Sequence, residues 1–267
     1  MQLELVGCTG AGKSTLAARI VDAARAEGIK LVLADEFALN QLGLRHLQSR
    51  WLRAVVVHVV AFWGCISRGS RHFRFIELAY RVLHHSKIPR RQQWNQLRKV
   101  LKQLGRYEVI RCRRQSQTPV LVDEGTLHAA HNLFVHVASD FNNDHVRQFA
   151  ERVPLPDVVI YVRQREDVLV ERTLHRRHPR ISDPTPQSVA KFVRQAVLVF
   201  DQLSKHERIA QRTIVIQDGV IVSEPSEYGN AELKNVMKVL RGVIATGTLP
   251  TDNLDCDSTL VDRSGAA

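Results

Sequence analysis

The sequence predicts an α/β fold: three layers, with helices on both faces of a parallel sheet of about five strands, and a basic helical segment inserted into it. Three observations predict it. Short apolar, β-branched runs alternate with helical stretches along most of the chain. A glycine-rich turn separates the first run from the first helix, and residues 45–115 break the alternation.

The elements follow in order. Leu3 to Val6 reads as a first strand running straight into the glycines. Lys13 to Glu27 reads as a helix with Leu16, Ile20, Ala23 and Ala24 on one face and Gly28 as its stop. Lys30–Ala34, Thr118–Asp123, Pro156–Val162 and Thr213–Gln217 read as four more buried strands. Within the insertion, Ala54–Ile66 is an apolar stretch too short for a membrane span of roughly 20 residues, and reads as a buried helix. Phe75, Ile76, Ala79, Val82 and Leu83 recur at helical spacing, as do Trp94, Leu97, Leu101 and Leu104. The expected organisation is a core of residues 1–44 and 116–246, a basic helical cap of 45–115, and a disordered tail of 247–267 rich in Thr, Asp, Ser and Gly.

The 267 residues suffice for a buried core, and 44% hydrophobic with 24% charged residues is ordinary for a globular chain. The four cysteines (Cys8, Cys65, Cys112, Cys256) have no metal-type or disulfide-framework spacing. With a strand in place of a leader at Gln2–Val6, they suggest reduced thiols in the cytoplasm. The net charge of +11 is unevenly spread: Arg45 to Arg114 holds 17 Lys and Arg against two acids, Glu77 and Glu108. The rest of the chain, with 21 basic and 25 acidic residues, is net negative. An anionic partner for the insertion is therefore expected. Solvated helix faces, a cap over an anionic acceptor, and peripheral contact with acidic lipid through Trp51, Trp63 and Trp94 are its three readings. Nucleic acid is a weaker one, since no reader motif is present.

Gly7-x-x-x-x-Gly12-Lys13-Ser14 is a complete P-loop pattern, with a strand before it and a helix after it. Such a loop turns its N–H groups onto phosphate oxygens, and the helix that follows presents its positive end to the same anion. Gly7, Cys8, Thr9, Gly10, Ala11, Gly12, Lys13, Ser14 and Thr15 are thus candidates to bind a nucleoside triphosphate, ATP, with Lys13 on the β- and γ-phosphates. Ser14 and Asp123, which ends the run Val120-Leu-Val, are candidates to hold Mg²⁺; Asp123 could instead cap the helix that follows. Glu124 either orients a nucleophile or is an ordinary rim charge.

Two further groups bear on transfer. Arg165, Arg172 and Arg176 fall on one helical stripe, and Arg177 and Arg180 extend it into a proline-punctuated loop. Guanidinium groups brought over the transferring phosphate by a lid would stabilise it, with Arg172 and Arg176 the favoured pair; a solvated helix face is the other reading. Asp35 and Glu36 end the second strand, where ligands bind in open α/β sheets. One of them could take an acceptor's proton, Glu36 if Asp35 caps the next helix. The histidines, including the i, i+3 pair His128 and His131, lack a completing ligand set and read as core or surface residues.

On "GCTGAGKST", "PVLVDEG" and "LPDVVIYVRQREDVLVERTLHRR", the chain resembles the P-loop kinases of the thymidylate-kinase-like and deoxynucleoside-kinase-like groups, over roughly residues 1–45 and 118–220. The resemblance implies ATP and Mg²⁺, a small-molecule acceptor and an Arg-bearing lid helix after the fourth strand. The family's Asp-Arg pair after the third strand is absent, since Gly125 and Thr126 follow the acids here. A kinase acting on a nucleotide-like or otherwise anionic acceptor is therefore the leading expectation. An ATPase module working with nucleic acid, membrane or a protein partner is the alternative. A GTPase switch fits least, because no Asn-Lys-x-Asp guanine-reading motif occurs.

Overall fold

The strand that carries the glycine-rich loop is the middle one of the sheet. The computed structural model describes residues 1–41, 43–44, 49, 52, 69–112, 118–136, 142–176, 178, 180–181, 183–217, 234, 236–238 and 240–242. Strand β1 (Gln2–Val6) is buried along its whole length and pairs in parallel with β3 (Val120–Val122) on one side and β4 (Val158–Arg163) on the other. An edge strand β2 (Val32–Leu33) joins β3, and β5 (Thr213–Gln217) joins β4, which makes the order β2-β3-β1-β4-β5. All four pairings are parallel, so the carboxyl ends of all five strands lie on one edge. Strands buried on both faces explain why the sequence reads as continuous apolar runs rather than as alternation.

Helix α1 (Lys13–Ala26) leaves β1 through the loop and buries Leu16, Ala17, Ile20 and Ala24. It ends at Gly28, whose φ is +72°. Helices α2 (Ala34–Gln41), α3 (Phe73–His84) and α4 (Arg90–Cys112) precede β3. After it come α5 (Ala129–Phe134) and α6 (Asn143–Arg152), capped by the Asn142 side chain. Helix α7 (Glu166–Arg176) follows β4. Helices α8 (Pro186–Lys205), capped by Thr185, and α9 (Glu207–Ala210) lead into β5. Asp201 ties α8 to β4, accepting from Tyr161 Oη at 2.8 Å and from two Arg163 nitrogens at 3.0 Å each. Val236, Met237 and Leu240, near the end of the described chain, are buried in the same core. The chain thus has the three-layer α/β/α fold expected of it.

Three local differences have physical reasons. The second strand, expected over Lys30–Ala34, is only Val32–Leu33, because β3 offers it just two partners, Val120 and Leu121. Helix α2 starts directly at Ala34, so Asp35 and Glu36 lie inside its first turn, where the helix dipole favours acids, rather than ahead of it as a cap. On α4 the buried apolar stripe is Leu97, Val100 and Leu104; Leu101 is half-buried and Trp94 is 62% exposed. Helix α4 touches α2, α3 and α5 at once. Its contact face is therefore wider than one apolar stripe and takes in Gln96, Gln103 and Glu108. The expected helix at Ala54–Ile66, residue Arg177 and the tail 247–267 lie outside the described residues.

The described part of the basic insertion shares its core with the sheet. Phe75, Leu78, Ala79, Val82, Val100 and Leu104 belong to the same buried cluster as Leu3, Leu5 and Ile160. Arg71, Arg74 and Arg81 are exposed. Removing the Leu104 side chain, which is fully buried, should therefore cost the whole chain about 2–5 kcal/mol. In urea, Leu104→Ala is expected to lower one shared transition seen by both far-UV circular dichroism and fluorescence. A separate early transition of residues 69–112 would contradict it.

Candidate functional site

The site begins where β1 ends. Gly7 has φ +143°, and a Cβ there would lie 2.5 Å from the Val162 carbonyl oxygen, so only glycine allows the loop to pass this close to β4. The loop then closes a turn through Ala11 N–H on the Cys8 carbonyl (3.2 Å). Helix α1 has no side-chain cap at Gly12 and no acid in its first turn. Its first N–H groups are therefore not taken by a side chain, which is the arrangement that suits an anion. The Lys13 ammonium folds back over the loop and donates to the Gly7 and Cys8 carbonyls at 3.0 and 2.9 Å. Burial lowers its pKa, against the opposing pull of Cys8, Asp123 and Glu124. Burial also pushes the Cys8 thiol up to about 12, so this cysteine serves through its backbone.

Sheet order brings Asp123 to the loop, because β3 is the direct neighbour of β1. Ser14 Oγ, at the start of α1, donates to Asp123 Oδ2 at 3.1 Å. The other carboxylate oxygen, Oδ1, is buried with no hydrogen-bond partner among the described residues. A hydroxyl and an under-satisfied carboxylate side by side are hard oxygen donors, the set that fits Mg²⁺ held also by phosphate and water. Among the described residues no three His, Cys, Asp or Glu side chains gather as a metal site of their own.

Helix α7 lies against the loop from the β4 side. Arg172 donates to the Gly10 carbonyl at 3.0 Å, and Arg176, exposed one turn on, acts electrostatically on Lys13. Arg165 is engaged differently. It precedes the helix and pairs with Asp167. The structure thus brings Lys13, Ser14, Asp123, Glu124, Arg172 and Arg176 around one loop.

Glu36 stands apart from them: it is exposed, with no hydrogen bond or ion pair among the described residues. Its neighbour Asp35 is instead held by Arg106 of α4 at 2.7 Å. Lys102, one turn before Arg106, is in electrostatic reach of both Asp35 and Glu124. Lys99 similarly reaches Glu124 and Arg180. Arg180 lies along the Asn132 side chain and donates to His131 Nδ1 at 3.0 Å and to its carbonyl at 2.9 Å. Asn132 in turn donates to Gln103 of α4 at 3.2 Å. His128 and His131 stack with ring centroids 5.3 Å apart, and burial lowers both well below the ordinary imidazole range. Both rings are therefore neutral near pH 7, and the 3.8 Å approach of Glu124 to His128 is proximity rather than an ion pair.

Sequence patterns did not single out Arg106, Lys99 or Lys102 from the other basic residues of the insertion. Nor do they single out Glu4, one residue of a mostly apolar strand. Its carboxyl is fully buried and accepts from His128 N–H at 2.9 Å and from Thr126 Oγ1 at 3.4 Å, which ties β1 to the segment following Asp123 and Glu124. A Cβ on Gly125 would lie 2.4 Å from Glu4 Oε2, so the glycine after the two acids is what lets this carboxyl in. Burial raises Glu4 to about 7, and the bonds from His128, Leu127 and Thr126 oppose the shift. The only trace of this in the sequence is a charged residue inside an otherwise apolar strand.

No family model matches the sequence, and no curated protein matches it. Among solved structures it is similar to a deoxyadenosine kinase from M. mycoides at 14% identity, over 91% of this chain and 100% of that one, with a TM-score of 0.46. It is similar also to a shikimate kinase from Acinetobacter baumannii at 14% identity, over 90% of this chain and 93% of that one, with a TM-score of 0.36. Likenesses at this level leave activity to be read from the site itself.

Glu4 makes the clearest pH signature. Because its folded pKa of about 7 exceeds the unfolded 4.5, the folded state keeps this proton longer, and stability is lost as pH rises between those values, by about 3 kcal/mol. Glu4→Gln carries no titrating group there. Urea unfolding should show the wild type falling behind the variant by that amount between pH 4.5 and 7.5; a constant difference would refute the shift.

Proposed function

We propose that this chain is an ATP-dependent phosphotransferase of the P-loop kinase type, acting on a hydroxyl of a small-molecule acceptor. The observation that carries the reading is the Asp35–Arg106 ion pair, at 2.7 Å, on the same edge of the sheet as Asp123 and Glu124. Lys102 is in reach of both Asp35 and Glu124. A hydrolase needs one acid to orient water. A second carboxylate, held by an arginine from another helix, suits a second substrate.

In this reading the loop amides and Lys13 hold the triphosphate, with the γ-phosphorus toward the carboxyl ends of β1 and β3. Ser14 and Asp123 would hold Mg²⁺, which supplies charge neutralisation across the β- and γ-phosphates when bound. The acceptor lies between Asp35, Glu124 and α4. Its hydroxyl oxygen attacks the γ-phosphorus; a P–O bond forms, the bond to the β,γ-bridging oxygen breaks, and ADP departs with that electron pair. The acceptor's proton passes to the Asp35 carboxylate, which Arg106 keeps oriented. Asp35 takes the role that sequence reasoning gave to Glu36, because α2 begins two residues earlier than a cap at Asp35 would need. Arg172 and Arg176 extend over the transferring oxygens, where guanidinium charge favours the transition state more than the ground state.

ADP release measured with and without a panel of nucleosides, nucleotides and sugars tests this. At least one acceptor should accelerate turnover, Lys13→Ala should abolish it, and Asp35→Asn should lower kcat by about 10²–10⁴ with little change in nucleotide affinity. Glu36→Gln should remain close to wild type. Turnover that no acceptor accelerates, but nucleic acid or lipid vesicles do, would return the reading to an ATPase module.

A further inference from the structure

On α4 the residues Lys99, Lys102 and Arg106 are three and seven positions apart, which puts them within about 60° of one another around the helix. The apolar stripe Leu97, Val100 and Leu104 occupies the opposite side and buries itself in the core. The basic face therefore looks toward the carboxyl edge of the sheet, where Arg106 meets Asp35. Arg180 comes to the same place from the segment after α7, fixed through Asn132 to Gln103 on α4. Four cations thus converge on two acids, Asp35 and Glu124. The neighbouring rings of His128, His131 and His178 are neutral near pH 7 and change nothing in this count.

Among the described residues no carboxylate other than Asp35 forms an ion pair with any of these four cations. Residues 45–68 and 113–117, on either side of α3 and α4, contain no Asp or Glu. Arg106 also keeps its buried Nε without a partner among the described residues. Lys99 and Lys102 are both depressed, first by burial and then by Arg180 and Arg106 respectively. Crowding like charges where Lys102, Arg106 and Arg180 are half-buried and Lys99 is exposed beside them is unfavourable unless an anion completes it. A phosphate monoester, carrying about −1.5 to −2 near pH 7, matches the excess; a carboxylate leaves half of it.

We propose that the acceptor carries a phosphate-monoester group in addition to its reacting hydroxyl, and that Lys99 and Lys102 of α4, with Arg180 beside them, bind that group. This rests on the kinase reading for its biological meaning, but the site is testable by itself. Lys99 and Lys102 set specificity by pairing directly with the acceptor's oxyanion, while Arg106 orients Asp35. Phosphate at this place is distinct from the triphosphate held by the loop, since it meets α4 rather than the start of α1.

The test is a calorimetric titration of the full chain, saturated with magnesium and a non-hydrolysable ATP analogue so that the loop is filled. Inorganic phosphate, acetate and glycerol are the three probes. Phosphate is expected to bind more tightly than acetate, and glycerol not at all. Lys99→Gln with Lys102→Gln should weaken phosphate by at least about tenfold, whereas Lys99→Arg with Lys102→Arg should keep it. Titrating the analogue into the same variants reports whether each is folded. Phosphate that fails to bind the loaded chain, or binds the Gln pair as it binds wild type, overturns the proposal. Acetate binding as tightly as phosphate overturns the phosphate assignment. Should the chain bind no nucleotide, the kinase reading fails, and phosphate titrated into Lys13→Ala, with and without the Gln pair, still decides whether the α4 site exists.

Discussion

The ammonium of Lys13 resting on the carbonyls of Gly7 and Cys8 is the contact around which the molecule is arranged. It holds a turn that is possible only because β1 is central, with β4 close enough that Val162 excludes any side chain at position 7. The same centrality makes β3 the other neighbour and delivers Asp123 to Ser14. Parallel pairing throughout then sends Asp35, Glu124 and the start of α7 to the same edge. Interior packing of apolar strands thus decides where charged chemistry sits.

That edge divides into two electrostatic halves. On the α1 side, backbone dipoles and Lys13 form a pocket of positive potential with one under-satisfied carboxylate, Asp123. On the α4 side, side-chain cations outnumber acids; Arg180 is held by Asn132, which donates to Gln103, and Arg106 is held by Asp35. Glu124 faces both, since Lys13, Lys99, Lys102 and Arg180 all respond to its charge. Behind it, Glu4 is buried against the backbone of Thr126 to His128 and fixes the segment on which Glu124 rides.

The sequence made the core and the loop legible for a simple reason: both depend on neighbours close in the chain. The run Val120-Leu-Val before Asp123, or Gly12-Lys13-Ser14 before α1, is a local pattern. The residues that were missed depend on distant neighbours. Arg106 matters because Asp35, 71 positions away, meets it; Gln103 matters because Asn132 does. The full buried face of helix α4 is hidden in the sequence for the same reason. A helix touching three others buries polar side chains and exposes Trp94, which no single apolar period reveals. Glu36 was favoured over Asp35 on an assumed cap, and the start of α2 at Ala34 removed the premise.

Everything rests on a triphosphate being held by the loop with a divalent ion at Ser14 and Asp123. Calorimetric titration of ATP into the full chain, with and without magnesium, measures this directly. One binding site per chain is expected, tightened by magnesium in the wild type, with the magnesium effect lost in Asp123→Ala and binding itself lost in Lys13→Ala. A well-folded chain that binds no ATP in the presence of magnesium, or binds it equally well without Lys13, would contradict the account at its root.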